Sequence, residues 1–411
     1  MTPDLRTRVG RRAFTATAGL GAAALSLRVL DGGRVVGPWT RSFGDELYAA
    51  GPAATILLHN NENPLGPGER AITAIRAQLS DPGIPAARYT SLVPDLSDAL
   101  AARHRCRPEN VLVGCGSTQI LRSATFAYAS AARPLVAGSP TYEECAGVAR
   151  LIGAPIRAVP GRPTLHHDLE AMIAAANGAG MVFFDNPGNP AATVHGAADV
   201  ASFVERVLRA SPGTTILFDE AYHDYVTDPA YRTQIPLALH TPRVIVARTF
   251  SKAYGMAGLR VGYAIAHVDT IARMRALQYP SSTNALGLAA ALATLADDER
   301  LAAEQRRNAE VRAFTLDWFR QAGCTPTESQ ANFVFVNVGR PARGVREACA
   351  RQGVLVGRDF PPYERTHVRI SIGTAEEMRR ATEVFGRLLG HGKTRPRKNT
   401  GHGITATEKH G

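Results

Sequence analysis

The stretch Arg248-Thr-Phe-Ser-Lys-Ala-Tyr-Gly-Met-Ala-Gly-Leu-Arg260 directly follows a short apolar run, Val244-Ile-Val-Ala247. The length and β-branched content of that run predict a buried strand. The chain has 43 arginines but only four lysines, at positions 252, 393, 398 and 409. The last three lie in a polar, basic C-terminal tail, so Lys252 is the sole lysine of the expected folded body. Arginine can replace a surface lysine, but its guanidinium stays protonated and cannot condense with a carbonyl. A lysine can, once burial or a neighbouring cation lowers its pKa and frees the amine. For an isolated lysine, drift in composition is a sufficient explanation. One flanked by Thr249 and Ser251 on one side and Arg260 on the other, in a glycine-punctuated apolar stretch, reads as a reactive amine.

Outward from this stretch, length and composition set limits. A chain of 411 residues exceeds a single hydrophobic core, so two domains are expected. At 45% hydrophobic and 20% charged the body is that of an ordinary soluble protein. No run of 18 apolar residues occurs, so no integral membrane span is expected. The net charge of +11 is inflated by the two ends. The tail Lys393-Thr-Arg-Pro-Arg-Lys398 reads as a solvated end, and neither zinc-finger spacing nor a helix-turn-helix pattern points to nucleic acid. The five cysteines, 106, 115, 145, 324 and 349, show no CxxC pairing and predict neither a disulfide framework nor a metal site. Gly10-Arg-Arg-Ala-Phe-Thr15 precedes an uncharged Ala/Gly/Leu stretch, Ala16 to Leu27, in the manner of a twin-arginine export signal. The expected location is therefore periplasmic or secreted. An Arg/Ala-rich leader without a targeting role is the alternative, and would leave the protein cytoplasmic.

Short apolar runs alternate with helical spacing between residues 108 and 275, which predicts an α/β domain with a mainly parallel sheet. Val111-Leu-Val113 runs into Gly114-Cys-Gly-Ser-Thr118 and a helical stretch; strand, glycine loop and helix start make a ready anion site, although such a glycine loop also merely turns a chain. Pro134-Leu-Val-Ala137 leads to Ser139-Pro-Thr-Tyr142, and Gly180-Met-Val-Phe-Phe184 to Asp185-Asn-Pro-Gly-Asn-Pro190. Thr214-Thr-Ile-Leu-Phe218 ends in Asp219-Glu-Ala-Tyr222, a carboxylate at the strand edge where open α/β sheets bind ligands. From Ala285 to Phe319 helix-forming sequence dominates and links to a smaller α+β unit with strands at 334–337, 354–356 and 367–372. The expected division is a leader over 1–40, an N-terminal arm over 41–66, a large domain over 67–284, a small domain over 285–390 and a tail over 391–411.

In this order the motifs resemble the fold-type I pyridoxal-phosphate aminotransferases of class I and II, and most nearly the histidinol-phosphate aminotransferase group, from about residue 55 to 390. The resemblance implies the cofactor pyridoxal 5′-phosphate, bound as a Schiff base to Lys252, which then shuttles a proton. It implies that Asp219 pairs with the pyridine nitrogen, that Asn189 and Tyr222 hold the phenolic oxygen and that Tyr142 stacks on the ring. Gly116, Ser117, Thr118, Thr249, Ser251 and Arg260 would cradle the phosphate with Tyr89 of a neighbouring subunit, which makes a homodimer the working unit. Arg369 would grip the substrate α-carboxylate, with Asn61 and Asn332 beside it. The reaction implied moves an amino group between an amino acid, or histidinol phosphate, and a 2-oxo acid. The family's Asn-Pro-Asn-Asn-Pro-Thr-Gly is altered here at Gly188, Ala191 and Ala192, and its acidic residue near Thr118 or Gln119 is absent. The same lysine and aspartate also serve decarboxylases and cyclases, and a non-enzymatic module of this fold is a further alternative.

Overall fold

The computed structural model describes residues 55–80 and 85–390, together with two short antiparallel strands, Val29–Leu30 and Arg34–Val35. That hairpin falls in a unit of its own, Met1–Ala53. The rest of the expected leader, the start of the arm and the basic tail lie outside the described residues.

The second unit is built on a seven-stranded sheet in the order Val111–Cys115, Val261–Ala266, Val244–Thr249, Thr215–Asp219, Met181–Asp185, Leu135–Ser139, Ile156–Pro160. All neighbours are parallel except Val261–Ala266, which runs antiparallel to both strands beside it. The central strands are buried at every position, as a sheet covered on both faces requires. Alternate side chains serve two cores: Val182, Phe184, Ile216 and Phe218 enter one, and Met181, Phe183 and Leu217 the other. Burying each such phenylalanine contributes about 1.5–3 kcal/mol.

The predicted strands are present, and three run on to include the polar residues that matter, Asp185, Asp219 and Thr249. Two strands of this large sheet were not anticipated. Val261–Ala266 begins directly after Arg260, which turns the chain with a left-handed φ of 54° at a position that is not glycine. Ile156–Pro160 is an edge strand, largely exposed, and its terminal proline is tolerated at an edge.

The smaller lobe holds an antiparallel sheet of Thr325–Pro326, Phe333–Asn337 and His367–Ser371, with helices Ala342–Ala350 and Ala375–Leu389. The arm joins it: Ile56–Leu58 pairs parallel with Val354–Val356, and Ile56 and Leu58 are buried in the small-lobe core. The helical stretch expected from Ala285 to Phe319 is two helices, Ala285–Leu295 and Asp298–Gln321. Asp297 caps the second by accepting from Arg300 N at 3.4 Å. Leu288, Ala290 and Ala291 pack in the large-lobe core, whereas Val311, Leu316 and Phe319 pack in the small one. Packing therefore changes lobes between these two helices instead of at residue 285.

Candidate active site

The parallel strands end along one edge of the sheet, and their loops carry nearly every residue singled out above. At one end lies an anion cradle. Helix Gly116–Tyr128 starts at this edge, and the first-turn amides of Ser117 and Thr118 have no acceptor within the helix. Arg260 closes over it: Nη1 donates to Ser251 Oγ at 3.3 Å and Nη2 to Thr118 Oγ1 at 3.5 Å. Thr249 Oγ1 accepts from Ser251 N at 3.0 Å, fixing the turn that precedes Lys252. A Cβ on Gly116 would lie 2.3 Å from Arg260 Nη2, and one on Gly262 would lie 2.2 Å from Ser117 N. Only glycine lets helix start, strand and guanidinium approach so closely. A phosphate fits this donor set.

Lys252 lies at the other side of the cradle. Its Nζ donates to Asn60 O at 3.2 Å and sits 5.6 Å from the Tyr222 ring centroid. Burial first, then the charge of Arg369, push its amine down to about 8. Asp219 closes its strand 5% exposed, and burial together with Asp185 pushes its carboxyl up to about 7. The Tyr222 hydroxyl accepts from Asn61 Nδ2 at 3.1 Å, and burial raises its pKa to about 12. Burial likewise raises the phenol of Tyr142, which follows the Ser139-Pro-Thr turn. A flat aromatic group, a buried carboxyl and a lysine amine are the groups that an aromatic aldehyde with a ring nitrogen requires.

The third part of the site spans the two lobes. Arg369 donates to Asn189 Oδ1 at 2.8 Å and to His59 O at 2.6 Å, while its buried Nε has no partner. Burial lowers the Arg369 pKa to about 10. Asn61, held at a φ of 55°, exchanges hydrogen bonds with Ser371 and accepts from Asn332 Nδ2 at 2.9 Å. The buried Oδ1 of Asn332 is also unpartnered. These orphaned atoms mark a polar space that a substrate can satisfy. Tyr89 alone stands apart: it is 92% exposed.

Several residues of the site escaped the sequence. Arg358 and Arg369 both lie over the Phe360 ring, at 4.3 and 4.7 Å from its centroid, and Arg358 is also ion-paired with Glu143, next to Tyr142. Nothing in Gly357-Arg-Asp359 marks it as other than loop. Asp185 sits at a strand end as Asp219 does, so the strand-edge argument applied to both. Among the described residues no group of His, Cys, Asp and Glu could hold a metal ion, and all five cysteines are free.

Fold and site together place a buried lysine amine, a buried carboxylate and an anion cradle on the edge of an open α/β sheet. Residues 53–385 match the family described as aminotransferase class I and II. Histidinol-phosphate aminotransferase of Symbiobacterium thermophilum is 36% identical over 342 residues, 82% of this chain and 91% of the relative. Histidinol-phosphate aminotransferase 2 of Pseudomonas aeruginosa is 36% identical over 348 residues, 83% of this chain and 90% of that one. Among solved structures, histidinol-phosphate aminotransferase from Sinorhizobium meliloti in complex with pyridoxal-5′-phosphate superposes with a TM-score of 0.76. It is 27% identical and covers 82% of this chain and 91% of its own. The chain belongs to the class I and II aminotransferases. It is a pyridoxal-phosphate-dependent transaminase.

Proposed function

We propose that this transaminase takes its amino group from a donor with a strongly anionic head and passes it to a 2-oxo acid. Histidinol phosphate is the donor that the relatives' names supply. The observation that carries the donor class is the pair of guanidiniums, Arg358 and Arg369, over one phenylalanine ring. A carboxylate needs one planar fork, whereas a phosphate monoester has charge and oxygens for two. The Glu143 ion pair favours a second reading, in which Arg358 is neutralised and Arg369 alone takes the carboxylate of an amino acid.

In this reading Lys252 Nζ, partly uncharged near neutral pH, takes the proton from the donor's Cα–H and returns it. Bound here, pyridoxal phosphate supplies an electron sink for the pair left by that C–H bond. Asp219 holds the proton on the ring nitrogen, and a cationic partner there draws its carboxyl back down. Asn189 and Tyr222 orient the phenolic oxygen, Tyr142 stacks, and the cradle of Gly116, Ser117, Thr118, Thr249, Ser251 and Arg260 anchors the phosphate. Arg369 fixes the donor's anionic head so that its Cα–H faces the amine, with Asn61 and Asn332 lining the same space. The exposed Tyr89 supports a homodimer in which it completes the partner's cradle. The Arg11-Arg12 start supports export, which cell fractionation tests.

The test is the near-visible spectrum of the purified protein, before and after amino donors are added. Borohydride should abolish the band and leave a covalent mark on the Lys252 peptide. A shift with histidinol phosphate supports the phosphate-headed donor, and a shift with α-amino acids alone favours the second reading. No shift with any donor in the absence of a 2-oxo acid would sink both.

A further inference from the structure

Asp185 has no role in the account above, yet both oxygens of its side chain are engaged. It closes its strand in register with Asp219 on the neighbouring parallel strand, and the two are 3% and 5% exposed. Two buried carboxylates side by side do not both stay charged unless each finds a partner. Among the described residues the Asp219 side chain accepts one hydrogen bond, from Ala221 N at 3.1 Å. Asp185 accepts three: Oδ1 from Thr141 Oγ1 at 2.7 Å and His167 Nε2 at 2.8 Å, and Oδ2 from Asn189 N at 2.7 Å.

Each of these partners leads somewhere. Thr141 is one peptide bond from Tyr142. Asn189 is held at its amide nitrogen by Asp185 and at its side-chain oxygen by Arg369, so that residue is fixed at both ends. His167 is 9% exposed and edge-on to Phe184, and a Cβ on Gly138 would lie 2.3 Å from its Nδ1. Burial opposes a charge on His167, but the hydrogen bond and charge of Asp185 outweigh it and hold the imidazole above its ordinary value.

We infer that Asp185 and His167 form a positioning pair for the cofactor. The carboxylate ties the turn before Tyr142, the turn bearing Asn189 and the His167 ring to one strand end. Asp219 is thereby left as the carboxylate free to face the ring nitrogen. The inference rests on the proposed roles of Tyr142, Asn189 and Asp219.

Asp185→Asn keeps the size and one accepting oxygen but loses the charge and the second acceptor. The dissociation constant for pyridoxal phosphate should rise about tenfold or more, the order expected when a hydrogen bond to a charged group is lost. The circular dichroism that the bound cofactor acquires in its near-visible band should fall per mole bound, because the ring is no longer held at one angle. Thr141→Val, which removes a single hydrogen bond, should change both readouts in the same direction by a smaller factor. A folded Asp185→Asn protein with the affinity and dichroism of the parent overturns the proposal. If that variant does not fold, an unchanged Thr141→Val protein overturns it. A parent protein with no borohydride mark on Lys252 defeats the site reading itself. A marked lysine with unaffected variants defeats only the positioning pair.

Discussion

Lys252 carries two expectations of different kinds. Lys252→Ala removes the amine and should lower transamination about 10⁴-fold or more, the scale seen when one member of a catalytic unit is deleted. Borohydride should then leave no mark on the corresponding peptide. The second concerns pH. An amine reacts with an aldehyde only when uncharged, and burial with Arg369 has brought this one down to about 8. The rate at which cofactor-free protein captures pyridoxal phosphate should therefore rise with pH through a midpoint at about 8 and level off only well above it. Arg369→Leu removes a charge that lowers the amine, so the midpoint should move upward. Stopped-flow absorbance across pH checks both, and a midpoint near the ordinary lysine value would contradict the buried environment.

Among the elements, the ends of two central strands are braced from behind the site. Glu220 follows Asp219 and accepts from Arg248 Nε at 3.0 Å and Nη2 at 2.8 Å, while Arg248 precedes Thr249. Both are buried, and Glu220 also accepts from Thr233 Oγ1 and Gln234 N, each at 2.7 Å. Breaking a buried pair leaves a bare charge and costs about 3–5 kcal/mol. Arg248→Met should lower the unfolding midpoint of the cofactor-free protein markedly, and adding Glu220→Gln should restore part of the loss. Calorimetry of the single and double variants decides it. Equal stability in all three would mean that the pair does not brace the strands.

For the molecule as a whole, the site lies where two separately packed lobes meet. The arm stitches them: Asn61 bonds Ser371 and Asn332 on the small-lobe side and Tyr222 on the other, and Asn63 Nδ2 donates to Ala253 O at 3.0 Å. If Tyr89 completes the partner's cradle, subunit mixing should reveal it. Tyr89→Ala and Lys252→Ala proteins, each weak or inactive alone, should regain up to about a quarter of the parent activity once their subunits exchange. The mixed dimer holds one intact site of the two, and about half of the dimers are mixed. Mixtures no better than their components would remove Tyr89 from the site.

The sequence by itself determined the strand–loop rhythm of the large lobe and the loops that would meet at its edge. It did so because those features are local: a β-branched run, a glycine loop and a helix start lie within about ten residues. A lysine-poor composition also made Lys252 conspicuous. The tertiary structure alone decided the rest. Arg369 meets Asn189 across 180 residues and His59 across 310, and Thr141 meets Asp185 across 44. No periodicity encodes such pairings. Arg358 and Glu143, unremarkable in their loops, acquire meaning only when two lobes fold against one site. Asp185 became distinct from Asp219 only through its neighbours, because burial and hydrogen bonding, not residue type, divide two like carboxylates into a held one and a free one.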